Sequence, residues 1–208
     1  MDGNKQYWNN IYESKKEKKP IYDLWLDKYK YILDKRKEQS IIDLGCGAGG
    51  DSLYLMERGY KVIACDYSEE ALNIVNKYLP EVETMQFDVS KTLPFEDESI
   101  EIIIADLSLH YFNDDTTKII AKEIKRVLKC NGYLIARVNS VNDINYGAEG
   151  GEEIEKNFYL TQLGYKRFFN NEDIEYYFRE FEIENCKEEH IMKYGNEKKA
   201  LEFVVRKM

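Results

Sequence analysis

The chain has 208 residues, of which 43% are hydrophobic, and this length and composition suit one folded domain with a sizeable core. A balance of 39 acidic against 30 basic residues gives a formal net charge of −9, which disfavours broad binding to the phosphate backbone of nucleic acids. No apolar stretch approaches the about 20 residues of a membrane span, and the polar N-terminus has no signal-peptide pattern. We therefore expect a cytoplasmic protein that binds neither DNA nor a membrane.

The cysteine pattern argues against a metal or redox site. Cys46, Cys65, Cys130 and Cys186 are widely spaced and form no Cys-x-x-Cys pair. A zinc site or a redox dithiol is therefore not expected, and thiols in the cytoplasm stay reduced. The sequence predicts no metal site.

Aromatic and charged residues fill the N-terminal part of the chain, residues 1–38. Trp25, Tyr29 and Ile32 recur at helical spacing, which predicts one or two helices that cover the core. Trp8 and Tyr12 are four residues apart and can share one face of a helix. This segment is predicted to be a helical lid.

Short apolar runs alternate with helical patterns between residues 39 and 140. The predicted strands are 41–44, 62–65, 82–87, 102–105 and 133–138, and the predicted helices are 51–58, 68–78 and 114–132. Strands that alternate with helices predict an α/β fold with a doubly wound, mostly parallel sheet and helices on both faces.

The C-terminal third completes a single domain, residues 1–208. Residues 141–170 are predicted to be an irregular insertion on the substrate side, and 171–208 a closing helix, at 172–181, and a β-hairpin. The hairpin strands are predicted at 181–192 and 201–206, joined at 194–197. One antiparallel strand pair thereby brings the sheet to seven strands.

A glycine loop and four acids mark one edge of the predicted sheet. Residues 41–50 form an apolar run that contains Asp43 and then breaks into glycines, while Asp66, Asp88 and Asp106 follow the next three strands. In open α/β sheets ligands bind beyond the carboxyl ends of the strands. Several acids on that edge suit a cationic, hydroxyl-rich ligand better than a phosphate-rich one.

These motifs resemble the class I S-adenosylmethionine-dependent methyltransferases over about residues 40–140 and the closing hairpin. The resemblance implies S-adenosyl-L-methionine as cofactor and S-adenosyl-L-homocysteine as product. In that family the first acid and the glycine loop hold the amino-acid end of the donor. Asp66 would then accept hydrogen bonds from both ribose hydroxyls, and Asp88 would accept one from the adenine amino group. The implied donor site comprises Asp43, Gly45, Cys46, Gly47, Asp66, Tyr67, Asp88, Val89, Asp106 and Leu107.

Other interpretations of the glycine loop stay open. Gly45, Gly47 and Gly50 also fit the dinucleotide fingerprint, with Asp66 about 20 residues further on, as in NAD-dependent oxidoreductases. Against that, the Asp43 carboxylate would crowd a pyrophosphate. A non-catalytic S-adenosylmethionine-binding module and a protein or RNA methyltransferase are further alternatives.

The acceptor is expected to be a small molecule bound next to the fourth strand. Residues 105–108 lack the Asn/Asp-Pro-Pro-aromatic signature of enzymes that methylate amino groups of nucleic acids. His110 follows this strand and is the candidate general base, because its ordinary pKa of about 6.5 suits proton removal. It could instead be structural and close the strand-to-helix loop. The candidate substrate residues are His110, Tyr111, Arg137, Asn139, Tyr146 and Arg167.

The predicted lid carries aromatic residues that suit a sulfonium donor. Trp8 and Tyr12 are expected to cover the donor, since aromatic faces attract a sulfonium through cation–π interaction. A helix that only packs on the sheet through aromatic anchors would show the same pattern.

Overall fold

The computed structural model describes residues 2–148, 150–162, 164–193 and 195–208. The strands within these ranges are β1 (Ser40–Leu44), β2 (Lys61–Asp66), β3 (Glu83–Gln86), β4 (Ile100–Asp106), β5 (Leu128–Asn139), β6 (Glu152–Glu155), β7 (Phe158–Thr161), β8 (Gly164–Arg167), β9 (Phe181–Lys193) and β10 (Asn196–Lys207). The α-helices are α1 (Asp2–Glu13), α2 (Lys30–Leu33), α3 (Gly50–Glu57), α4 (Glu69–Tyr78), α5 (Asp114–Val127) and α6 (Asn171–Tyr177).

The central sheet has seven strands in the order β3-β2-β1-β4-β5-β10-β9. The first five strands in this order run parallel, and β10 pairs antiparallel with both β5 and β9. Residues 102–105 of β4 are each at most 1% exposed, because helices cover both faces of the sheet. The predicted fold class and strand count are confirmed.

Helices α4, α5 and α6 begin at side-chain caps. Ser68 accepts a hydrogen bond from the Ala71 amide at the start of α4. The predicted end of α5 near residue 132 is wrong, since α5 ends at Val127 and β5 begins at once. Leu128 already pairs with Ile100, and the chain then bulges through Asn131, which has a positive φ of 61°.

The C-terminal third is more regular than expected. Within residues 141–170, predicted to be irregular, β6, β7 and β8 form a small antiparallel sheet in that order. Helix α6 ends at Tyr177, before the predicted residue 181, because Phe181 already pairs with Lys207 in the β9–β10 hairpin. Strand β10 starts at Asn196, five residues before its predicted start. Residue 194 of the predicted hairpin connection lies outside the described residues.

Two helical segments precede β1, as predicted. Trp25, Tyr29 and Ile32 are buried against one face of the sheet. Helix α1 packs on α4, where the Ser68 hydroxyl donates a hydrogen bond to Asn9 Oδ1 at 2.7 Å. None of the helices described is long and apolar enough to cross a membrane. The cytoplasmic location stays a prediction.

Candidate active site

The loop after β1 folds back on β2 and needs glycine to do so. The amides of Gly45 and Cys46 both donate to the Cys65 carbonyl, at 2.7 and 2.9 Å. Gly45 has a φ of 75°, and a Cβ there would lie 2.3 Å from Ser108 Cβ. Gly47 also has a positive φ, of 55°. Only glycine allows this turn to approach the end of β4 so closely.

Two of the predicted acids flank this loop. The buried Asp43 carboxylate accepts a hydrogen bond from the Ser52 hydroxyl at 2.6 Å, and burial raises the pKa of Asp43 to about 7. Asp66 accepts from the amide of Gly47 at 2.9 Å and from that of Ser68 at 2.8 Å. Burial raises the pKa of Asp66 although these amides favour its ionised form.

The end of β3 places the third acid near the same edge. Asp88 accepts hydrogen bonds from the Ser90 amide at 2.9 Å and the Ser90 hydroxyl at 2.6 Å. The Val89 side chain packs against the core. Tyr67, after β2, lies under the Lys5 ammonium of α1, which is 5.4 Å from the ring centroid. Their assignment to the adenine stays a prediction.

The fourth acid forms a buried ion pair that sequence reasoning missed. Asp106 and Arg137 were predicted in separate roles, for cofactor and substrate. Instead, Arg137 Nε and Nη2 bind the two carboxylate oxygens of Asp106 at 2.6 and 2.8 Å. Lys193 Nζ lies 3.3 Å from the same carboxylate, and Arg137 Nη1 lies 3.1 Å from Asp23 Oδ2. The Arg137 guanidinium also stacks over the Trp25 ring at 4.4 Å.

A further buried acid near this pair was not predicted. Trp25 Nε1 donates to Asp51 Oδ1 at 2.8 Å. Burial is the main cause that raises the pKa of Asp51 well above its ordinary range, and the negative charges of Asp106 and Asp43 raise it further. The sequence signal was ambiguous, because an acid in the first turn of a helix is ordinarily explained by the helix dipole.

The segment after β4 turns sharply towards the candidate substrate side. The Leu107 amide donates to the Arg137 carbonyl at 2.9 Å, and Leu107 has a φ of 55°. The Ser108 hydroxyl donates to the Leu44 carbonyl at 2.6 Å, which ties this segment to the end of β1. The strained turn positions the following His110.

Helix α1 covers the glycine loop. The rings of Trp8 and Tyr12 stack with a centroid distance of 6.0 Å, and the Trp8 ring meets that of Tyr111 edge-on at 5.3 Å. The Tyr12 hydroxyl lies 2.6 Å from the point that a Cβ on Gly47 would occupy. The predicted lid residues therefore lie over the rim, between the glycine loop and the segment after β4.

His110 and Asn139 are buried polar residues in need of partners. His110 is 3% exposed, and among the described residues its Nδ1 has no hydrogen-bond partner. Both polar side-chain atoms of Asn139 likewise have none within the described ranges. Burial, together with the positive charges of Lys198 and Lys166, holds the pKa of His110 well below its ordinary value. Its imidazole is therefore neutral at pH 7.

Two buried lysines lie nearby and were not predicted. Lys198 Nζ is 2.7 Å from Asp143 Oδ2 and 4.3 Å from the centroid of the Tyr146 ring. Lys166 Nζ donates to the Tyr146 carbonyl at 3.3 Å. Burial is the main cause that lowers the pKa of both lysines. The last strand was predicted to begin at residue 201, so Lys198 was not predicted to lie in a strand.

Arg167, a predicted substrate residue, is engaged in structural contacts. Its guanidinium binds Glu155 Oε2 at 2.6 Å and the carbonyls of Phe112 and Lys156 at 3.0 and 3.3 Å. The Arg167 amide donates to the His110 carbonyl at 2.8 Å. This residue fastens the small sheet to the segment after β4.

Comparisons with known proteins identify similar methyltransferases. Residues 42–136 match the family model of a methyltransferase domain. The chain is 31% identical over 104 residues to the uncharacterized methyltransferase YcgJ of Bacillus subtilis, covering 48% of this chain and 40% of that protein. It is 29% identical over 112 residues to the demethylmenaquinone methyltransferase of Streptomyces avermitilis, covering 54% of this chain and 47% of that protein. The chain thus matches less than half the length of either relative.

Among solved structures, the fold is similar to that of a methyltransferase from Methanosarcina mazei. The TM-score is 0.76 at 21% sequence identity, and the match covers 89% of this chain and 99% of that one. At this identity the likeness concerns the fold.

Proposed function

We propose that the chain is a class I S-adenosylmethionine-dependent methyltransferase that transfers a methyl group from S-adenosylmethionine to a small-molecule acceptor. One observation carries the proposal. The Asp66 carboxylate stands 2.9 Å from the Gly47 amide of a glycine loop that starts beside the buried Asp43. This pairing of acids with a bare backbone suits a ligand with an ammonium and adjacent hydroxyls.

The residues present fit this cofactor. An ionised carboxylate offers about four lone-pair sites. Asp66 uses two of them for the amides of Gly47 and Ser68, which leaves acceptor capacity for the ribose hydroxyls. Asp43, with its raised pKa, gains a compensating charge when an ammonium binds. The cofactor would supply an activated methyl group on a sulfonium.

The protein itself would align the acceptor with the methyl group and exclude water from the site. In an in-line displacement the nucleophile must lie behind the methyl carbon, and orientation of this kind supplies about 7–11 kcal/mol. Trp8 and Tyr12 on α1 would exclude water, because their stacked rings lie over the glycine loop at Gly47. Where the nucleophile arrives protonated, the unpartnered Nδ1 of the neutral His110 can accept the proton.

Three observations support a small acceptor. Trp8 of helix α1 contacts Tyr111, the neighbour of His110, and both His110 and Asn139 are buried. The net charge of −9 opposes an extended nucleic-acid contact. The Streptomyces avermitilis relative is named for demethylmenaquinone, a small molecule.

Calorimetry tests the cofactor assignment. We expect S-adenosylhomocysteine to bind and NAD not to bind. Asp66→Ala should weaken S-adenosylhomocysteine binding by roughly ten- to hundredfold, because hydrogen bonds to a charged group are lost. Asp115→Ala, at an exposed acid on α5, is the matched control and should leave the affinity unchanged. Binding of NAD in place of S-adenosylhomocysteine would show that the chain is an oxidoreductase.

A further inference from the structure

Five buried polar residues form a cluster at the edge of the candidate active site: His110, Asn139, Asp143, Lys166 and Lys198. They come from the segment after β4, the end of β5, the segment that follows it, β8 and β10, and none is more than 9% exposed. Two backbone hydrogen bonds of 2.8 Å join the chain around β8 to the ends of the central strands, from Arg167 to His110 and from Phe169 to Asn139. The tertiary fold therefore brings the cluster together.

The cluster contains polar atoms that the protein leaves unpaired. Within the described ranges, His110 Nδ1 and both the Nδ2 and the Oδ1 of Asn139 have no hydrogen-bond partner. Buried polar groups in native proteins are nearly always paired, so an unpaired amide needs an explanation. A ligand that accepts a hydrogen bond from Asn139 would supply one.

The charges of the cluster are also unbalanced. It holds two ammonium groups, and its one carboxylate, Asp143, lies 2.7 Å from Lys198. In the part of the chain that the structure describes, no carboxylate lies within ion-pair distance of Lys166, whose ammonium contacts the Tyr146 carbonyl. Lys198 repels Lys166 and adds to the effect of burial in lowering the pKa of Lys166. Asp143 opposes this effect, but it forms its ion pair with Lys198. A buried cation without an ion-pair partner is costly, and a bound anion would remove that cost.

The nearby Asp106 does not supply the missing charge. Its carboxylate forms the two short hydrogen bonds with Arg137 and also contacts Lys193 at 3.3 Å. Those two cations already compensate Asp106 and its neighbour Asp23. Since Asp143 compensates Lys198, the excess positive charge of the cluster remains with Lys166.

We propose that the methyl acceptor carries an anionic group, a carboxylate or another oxyanion, which the cluster holds between Lys166 and the Asn139 amide. Asp143 holds the Lys198 ammonium in place behind this anion. The anionic group anchors the acceptor. On the side of the lid, the His110 ring contacts the Tyr111 ring, which contacts Trp8. The inference rests on the proposed methyltransferase function and specifies its acceptor class.

A titration with paired probes tests this inference. The protein saturated with S-adenosylhomocysteine is titrated with acetate, benzoate and inorganic phosphate, and separately with the neutral acetamide and benzamide. The nuclear magnetic resonance signals of the Asn139 side-chain amide report binding. We expect at least one of the anions to bind saturably and to shift these signals, and the neutral amides to leave them unchanged. Absence of binding by all three anions would overturn the proposal, as would equal binding of an acid and its amide.

Variants of Lys166 separate anion binding from folding. Lys166→Met should weaken binding of the anions by roughly tenfold or more, which corresponds to about 1.4 kcal/mol. It should not lower the thermal midpoint, because it removes a buried cation that has no carboxylate partner. Lys166→Arg keeps the charge and should retain binding, and Lys187→Met, at an exposed lysine on β9, is the control. Unchanged anion binding in Lys166→Met would refute the assignment.

The two proposals fail in different ways. If S-adenosylhomocysteine binds but the anions do not, only the acceptor class is wrong. If S-adenosylhomocysteine does not bind, the methyltransferase proposal is wrong, and the inference that rests on it is overturned with it.

Discussion

Replacement of Arg137 by Met should destabilise the fold strongly, because it leaves the carboxylate of Asp106 buried without its main partner. Arg137 is 1% exposed and the side chain of Asp106 15% exposed, and two hydrogen bonds of 2.6 and 2.8 Å join them. Removal of one partner of such a buried pair costs about 3–5 kcal/mol. Lys193, at 3.3 Å, remains to compensate part of the charge. We therefore expect the lower end of that range, about 3 kcal/mol, in the free energy of unfolding.

A double-mutant cycle separates the pair from other contacts of Arg137. In Arg137→Met/Asp106→Leu no unpaired charge remains between the two positions, so the double variant should be much less destabilised than the sum of the single variants. Urea denaturation followed by circular dichroism measures all four proteins. A loss below about 1 kcal/mol in Arg137→Met, with a changed acceptor KM, would indicate that Arg137 contacts substrate, as first predicted from the sequence. Additive losses would also refute the reasoning.

Three further predictions concern the loop and the candidate base. Burial raises the pKa of Asp43 to about 7, against about 3.9 in the unfolded chain. Between these values the folded state binds the extra proton, so the contribution of Asp43 to stability falls as the pH rises. Binding of S-adenosylhomocysteine below pH 7 should therefore release a proton, which calorimetry in buffers of different ionisation enthalpy detects, and Asp43→Asn should abolish that release. His110→Ala should lower turnover by roughly a hundredfold or more without changing cofactor affinity. The control is His190→Ala, at an exposed histidine. Unchanged turnover in His110→Ala would show that His110 is not the base. Gly45→Ala should lower the thermal midpoint more than Gly195→Ala. Both glycines have a positive φ, but only at Gly45 would the added Cβ lie 2.3 Å from a side-chain carbon. Equal decreases in the thermal midpoint would contradict the clash.

The sequence determined the sheet and the edge on which the proposed donor site lies. Apolar runs that alternate with amphipathic helices specify parallel strands, since each signal is local to a few residues. The spacing of Asp43, Asp66 and Asp88 at successive strand ends then places all three on one edge of the sheet, because parallel strands end on the same side. The predicted boundaries of helices and strands were wrong where strand pairing overrode the local sequence pattern. At Leu128, pairing with Ile100 begins β5 earlier than the predicted start at residue 133.

The acceptor side was decided only by the tertiary structure. Asp106 and Arg137 are 31 residues apart in the chain, and Lys198 and Asp143 are 55 residues apart. No local periodicity connects such residues, and a lysine in a sequence is ordinarily assigned to a solvated surface. Burial changes that assignment, because a charge removed from water needs a specific partner, and which partner it finds depends on how distant elements pack. The sequence therefore specifies the donor motif, whereas the ion pair beside it and the cluster around Lys166 follow from the packing of β5, β8 and β10.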